Sequence, residues 1–186
     1  VLDWLKTYDR QQAECLETKL HIGQSDFQQW EKIIQKLVFL QNPSTKLIEQ
    51  FDDFFSCEDI DLDIYEPRYQ SIQNILGIQR TQQYQVIRQP DVLMLYFLMQ
   101  NDFNQSELHT NWEYYAPRTD INYGSAVGYA VHCTLSACLN DLNTAMQNFQ
   151  EAVNLDLQGI RTNVGDGIHL GNAGAVWQAV VFGFAG

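Results

Sequence analysis

The chain has 186 residues, 45% of them hydrophobic, and a formal net charge of −12 from 11 Lys and Arg against 23 Asp and Glu. That apolar share suffices for a packed core, while so few cations and no basic stripe exclude a nucleic-acid partner, whose phosphates are held by clustered basic side chains. Cys15, Cys57, Cys133 and Cys138 form neither a Cys-x-x-Cys pair nor a disulfide framework, which fits a reducing cytoplasm, and the longest apolar run, Val92 to Met99, is too short for a membrane span.

Apolar positions recur at helical spacing over residues 2 to 20 and 26 to 40, predicting two helices that Asn42 and Pro43 bring to a stop. From Lys46 to about Arg88 the periodicity is lost, and Glu66-Pro67-Arg68 interrupts any regular element. The aromatic residues of this stretch, Phe51, Phe54, Phe55, Tyr65 and Tyr69, predict a long irregular region that is nonetheless ordered. Pro90 reads as a first helical residue, and the run from Asp91 to Gln100 is apolar on nearly every face. Residues 105 to 115 form a more amphipathic helix, 126 to 139 an Ala-rich one, and 141 to 154 one whose stripe is Leu142, Ala145, Phe149 and Val153. Residues 173 to 185 are again apolar all round. Helices that need cover on every side thus alternate with helices that need it on one, the pattern of inner and outer layers in an all-α fold. A solenoid of tetratricopeptide type is the competing architecture, since Ala130 to Asp156 resembles one such helix pair, but no fixed period runs through the rest.

The sequence opens on Val1 and closes just after an apolar run, so it reads as cut from something longer. The glycine-rich stretch from Gly159 to Asn172 leads into the last helix. Unpaired N–H groups at such a start favour an anion and glycines let it approach, so a phosphate site is physically reasonable, with a plain turn as the simpler account. No strand precedes it, which argues against a dinucleotide fingerprint. Ser125 stands at another helix start, where an N-cap is the bland reading; Gly124 beside it spoils a Gly-x-Ser-x-Gly elbow. His21, His109, His132 and His169 lack ligand spacing, and His132 reads as structural. Asp59-Ile60-Asp61-Leu62-Asp63 begins like a calcium loop but has Ile64 where glycine is needed and Gln70 where Glu is needed. No metal is therefore expected. Arg88 and Gln89, at the mouth of an apolar helix with Phe51 and Phe54 close in sequence, suit a polyhydroxylated ligand, with a helix-start ion pair as the plainer alternative.

Six stretches occur in a fixed order: Glu49-Gln50-Phe51-Asp52, Gln85 to Leu93 (QVIRQPDVL), Asn111 to Thr119 (NWEYYAPRT), Gly124-Ser125, Asp166-Gly167-Ile168-His169, and Trp177 to Phe184 (WQAVVFGF). Together, over about 46 to 186, they resemble glycoside hydrolase family 65, the family of maltose, trehalose and kojibiose phosphorylases. The resemblance implies the C-terminal half of an (α/α)6-barrel catalytic domain, with 1 to 186 as one partial domain. It implies inverting phosphorolysis of an α-linked glucose disaccharide to β-glucose 1-phosphate, with inorganic phosphate as co-substrate, no other cofactor, and a homodimeric parent. Ser125, His169 and main-chain donors near Gly171 would hold phosphate, and Arg88 and Gln89 the glucosyl unit. The family's general acid lies in a segment containing Asp-Glu-Tyr-His upstream of these stretches and not in this chain, so the fragment alone is expected to be inactive. Arg88 stands where the family has lysine, Pro90 where it has alanine, Ala116 where it has glutamate and Ala126 where it has a second serine; losing that hydroxyl would weaken phosphate binding by about 1–2 kcal/mol. An inverting hydrolase of the same family, such as an acid trehalase, and a non-catalytic helical module are the alternatives. Half a barrel also leaves inner-helix faces uncovered, so the isolated chain is expected to associate.

Overall fold

The computed structural model describes residues 2–158 and 167–186 and divides into two compact units, Val1–Phe39 and Leu40–Gly186. In the first unit three helices stand where the periodicity predicts two: α1 (Leu2–Tyr8), α2 (Arg10–Leu20) and α3 (Gln24–Lys36). The break comes at Asp9, whose carboxylate accepts the Gln12 N–H at 3.0 Å and so caps α2. One non-helical residue hardly disturbs the apolar phase, which is why spacing alone does not reveal it. Helix α3 ends at Lys36, short of residue 40, because Leu37 turns extended. Lys6 links the three helices, reaching the Glu17 carboxylate at 2.7 Å and lying 3.9 Å over the Phe27 ring. Among the described residues of this unit only Ala13 is buried, and Trp30, Ile33 and Ile34 are exposed.

In the second unit the stretch between residues 46 and 88 is ordered, as its aromatics predict. It contains 3-10 turns at Phe54–Ser56 and Leu62–Tyr65 and two short helices, α4 (Ile72–Leu76) and α5 (Ile78–Thr81). Its anchor is Asn111, fully buried, whose amide oxygen accepts the Ile48 N–H at 2.9 Å while its NH2 donates to the Lys46 carbonyl and the Tyr96 hydroxyl. A buried amide with its hydrogen bonds made is stabilising, whereas the same group unpaired would cost about 1–3 kcal/mol. Phe54 stacks on Tyr115 at 5.9 Å between centroids.

Five longer helices complete the unit: α6 (Asp91–Leu98), α7 (Gln105–Tyr115), α8 (Gly128–Cys138), α9 (Leu142–Asn154) and α10 (Leu170–Gln178), the last passing into a π-helical turn at Ala179–Phe184. No helix among the described residues is long and apolar enough to cross a membrane. The expected alternation is present from α7 to α9, where α8 is buried along almost its whole length and its neighbours bury one face, whereas α10, expected to need cover on every side, buries only Asn172 and Ala175. Alanines make the close packing possible, with Ala130, Ala152 and Ala175 in one cluster and Ala137, Ala145 and Ala179 in another. Hydroxyls buried in α8 bond back to its own carbonyls, Thr134 to Ala130 at 3.0 Å and Ser136 to His132 at 2.6 Å. The helix predicted over 173 to 185 begins earlier, at Leu170, and changes winding at Ala179. There Gly183 comes so close to α8 that a Cβ on it would lie 3.2 Å from the Thr134 Cα.

Candidate functional site

Three loops lead into α6, α8 and α10, and they carry the residues singled out in the sequence. Ile87 donates to the Arg118 carbonyl at 2.8 Å and accepts from the Asp120 N–H at 2.7 Å, aligning two incoming segments in parallel. One step on, the Ser125 N–H donates to the Arg88 carbonyl at 3.0 Å. Gly124 sits inside this seam, where a Cβ would lie 2.4 Å from both the Arg88 and Asp120 carbonyl oxygens, so no larger residue fits without moving backbone. Gly171 faces the same turn, since a Cβ there would lie 3.8 Å from Val127 Cγ1. Main-chain contacts therefore bring Arg88 and Ser125 together, and Gly171, in the first turn of α10 behind the N-cap residue His169, packs toward Val127 of the same turn.

Two details differ from expectation. Ser125 is not an N-cap: α8 starts at Gly128, Val127 holds the cap position without a side-chain bond, and Ser125 accepts the Gly128 N–H through its carbonyl at 3.0 Å. The tether to Arg88 holds this turn out of the helix. Pro90 precedes α6 instead of opening it, and Asp91 is the first helical residue, with its pKa raised by burial.

The side chains of Arg88 and Gln89 are exposed and have no polar partner among the described residues. Of the two aromatics expected to stand by a polyhydroxylated ligand, Phe51 is half exposed, but Phe54 is committed to the core at 1% exposure. Asp59 and Asp61 have structural duties. Asp59 forms a two-pronged pair with Arg118 at 2.9 and 2.7 Å, which holds its pKa below the usual carboxylate value, and Asp61 accepts the Asp63 N–H. His132 is buried against Trp112 within α8, and burial lowers its pKa to about 4.

Residues 159–166, including Asp166, lie outside the described residues. Among the described residues the carboxylate at His169 is Asp156, just beyond α9: one oxygen lies 2.7 Å from the imidazole Nδ1, and the other accepts the His169 main-chain N–H at 3.1 Å. Sequence reasoning passed over Asp156, which belongs to none of the recognisable stretches. It also passed over the support beneath the Ser125 turn. Arg68, its side chain 4% exposed, pairs with Asp120 at 2.8 Å and Glu66 at 2.7 Å. Asp120 further accepts the N–H groups of Ile72 at 2.9 Å and Tyr123 at 3.2 Å, and the Tyr123 hydroxyl donates to the Arg68 carbonyl. The turn is thus fastened to the 66–72 segment by a buried ion pair whose polar groups are largely satisfied.

A model of the glycosyl hydrolase family 65 central catalytic domain matches residues 1–178. Over its whole length the chain is 28% identical to the kojibiose phosphorylase of Halothermothrix orenii, of which it covers 24%. It is 31% identical to the α,α-trehalose phosphorylase of Thermoanaerobacter brockii over 95% of this chain and 22% of that protein. A solved structure of a candidate kojibiose phosphorylase from human microbiome aligns with a TM-score of 0.82 at 27% identity, over 98% of this chain and 26% of the other. The fold is accordingly all-α and corresponds to part of an (α/α)6 barrel. The chain spans about a quarter of the length of the curated relatives it matches.

Proposed function

The chain belongs to glycosyl hydrolase family 65, and from that membership we propose that the protein carrying it is an inverting phosphorylase of an α-linked glucose disaccharide. Inorganic phosphate is its co-substrate and β-glucose 1-phosphate its product. The observation that carries this reading is the main-chain seam joining Arg88 to Ser125, with Gly171 packed against the same turn. It ties the Arg88 and Ser125 backbones together, and it supports the convergence of a guanidinium, a hydroxyl, an imidazole and a helix start that the reading requires. In the reading, Ser125, His169 and the N–H of Gly171 hold phosphate, and Arg88 and Gln89 hold the glucosyl unit. The dipole at the start of α10 adds to the attraction for an anion.

The chemistry follows from that placement. A general acid, supplied from outside this chain, protonates the glycosidic oxygen as the C1–O bond breaks, and a phosphate oxygen bonds to C1 on the opposite face. The 186-residue chain alone does not catalyse the reaction. The parent acts in the cytoplasm as a homodimer, with no metal or organic cofactor.

The hydrolase alternative needs a carboxylate to activate water where phosphate would sit. Asp166, the carboxylate the sequence offers for that role, also belongs to the phosphorylase pattern, and the presence of Ser125 and His169 supports phosphate over a base-activated water. The test is to incubate the full-length protein with kojibiose, trehalose and maltose, with and without phosphate, following products by 31P and 1H NMR. β-Glucose 1-phosphate should form from one of them only when phosphate is present. Glucose released at the same rate without phosphate would overturn the reading in favour of hydrolysis.

A further inference from the structure

We propose that Asp156 is a positioning residue that sets the imidazole of His169 for phosphate, an inference that rests on the reading of His169 given above. The pair is unusual in that both carboxylate oxygens serve one residue: Oδ1 meets the ring at Nδ1, 2.7 Å away, and Oδ2 accepts the main-chain N–H at 3.1 Å. A ring held through Nδ1 leaves Nε2 as its one nitrogen for a ligand, because the bond at one nitrogen decides which way the other points. The second bond ties the same carboxylate to the residue at the N-cap position of α10. Ring orientation and helix start therefore share one anchor.

The same arrangement sorts the donors at that helix start. The His169 N–H is taken by Asp156, and the Leu170 N–H reaches the Ile168 carbonyl at 3.1 Å. The Gly171 N–H has no main-chain partner among the described residues. It is one of the donors a helix start leaves unpaired, and it adjoins the Ser125 turn through Val127. The Asp156 side chain is 12% exposed and that of His169 31%, so the carboxylate lies beneath the ring and the ring faces outward. That is the order expected of a group that acts through another.

Three variants of the full-length protein test the proposal, with inorganic phosphate as the varied substrate. Asp156→Asn keeps the shape but cannot accept both bonds through carboxylate oxygens. It should raise the KM for phosphate by roughly ten- to a hundredfold, by analogy with the loss seen when outer partners of a metal-binding histidine are removed, while the KM for the disaccharide stays within about twofold. Asp156→Glu should recover part of the loss. A purely structural cap would instead lower the melting temperature and shift both KM values together, and that result overturns the proposal. His169→Ala separates the two levels of the argument. If it leaves the KM for phosphate unchanged, the phosphate-binding reading of His169 fails; if it raises that KM and Asp156→Asn does not, this inference alone fails. Should Asp156→Asn not fold, 15N NMR of the wild-type imidazole decides: a proton at Nδ1 is required, and a ring protonated only at Nε2 overturns it.

Discussion

Ten of the eleven residues of α8 are buried, whereas α10, drawn from an equally apolar stretch, buries Asn172 and Ala175 and leaves Leu170 and Trp177 at 80% and 63% exposure. Helix α8 lies among α6, α9, α10 and the π-helical turn. Helix α10 meets α8 and α9 on one side, and its large apolar residues face away from them. An all-apolar helix thus announces that it needs cover without saying where the cover comes from. In α8 the small residues let neighbours close in from every direction, while in α10 the bulk of Leu170 and Trp177 is presented outward.

The strongest way to break this comparison is to truncate one side chain in each helix. Leu135 in α8 is fully buried, so Leu135→Ala should cost about 2–5 kcal/mol, the usual loss of transfer energy plus the cavity left behind; urea denaturation at pH 7 measures it. A smaller loss would mean that α8 is loosely packed.

The next effect is a pH dependence that only a fully enclosed helix can have. Burial lowers the pKa of His132 to about 4 from 6.5. Above pH 6.5 the ring is neutral in both folded and unfolded chains and contributes no pH dependence. As pH falls below 6.5 the unfolded chain takes up the proton and the folded one does not, so stability declines until about pH 4, by roughly 3 kcal/mol in all. Comparing urea midpoints at pH 7 and pH 4.5 for the wild type and His132→Leu isolates this contribution. The variant should lose less stability on acidification, and an equal loss in both would mean that His132 is hydrated.

The smallest effect belongs to α10. Trp177→Ala should change stability by no more than about 0.5 kcal/mol, as surface substitutions do. A cost above about 1 kcal/mol would show that this face is covered in solution and would remove the contrast with α8.

The helical class and the alternation of covered and half-covered helices were legible because burial imprints a period on the sequence. Features fixed by distant contacts were not. Asp9 interrupts a helix while leaving its apolar phase nearly intact. The start of α8 is set by the carbonyls of Arg88 and Asp120, more than thirty positions away in the first case. The Arg68–Asp120 pair joins residues that no spacing rule connects. At the candidate site, Ser125, His169, Gly171, Arg88 and Gln89 were nameable through glycines, helix starts and an ordered set of short stretches. Asp156 was not, since an acidic residue beyond an amphipathic helix looks like any solvated charge until it meets His169. Phe54 shows the converse, an aromatic whose place in the sequence suits a polyhydroxylated ligand but which is spent on Tyr115.

The hydrogen bond that secures Ser125 is accepted by the carbonyl of Arg88, an atom every amino acid possesses. The serine's location is consequently indifferent to what side chain occupies position 88, and an exchange of lysine for arginine there leaves the hydroxyl where it is. At position 124 the situation is reversed, because there the backbone tolerates glycine alone. Evolutionary latitude at this mouth is thus uneven from one residue to the next, wide where only a carbonyl is borrowed and nil where even a methyl group would collide.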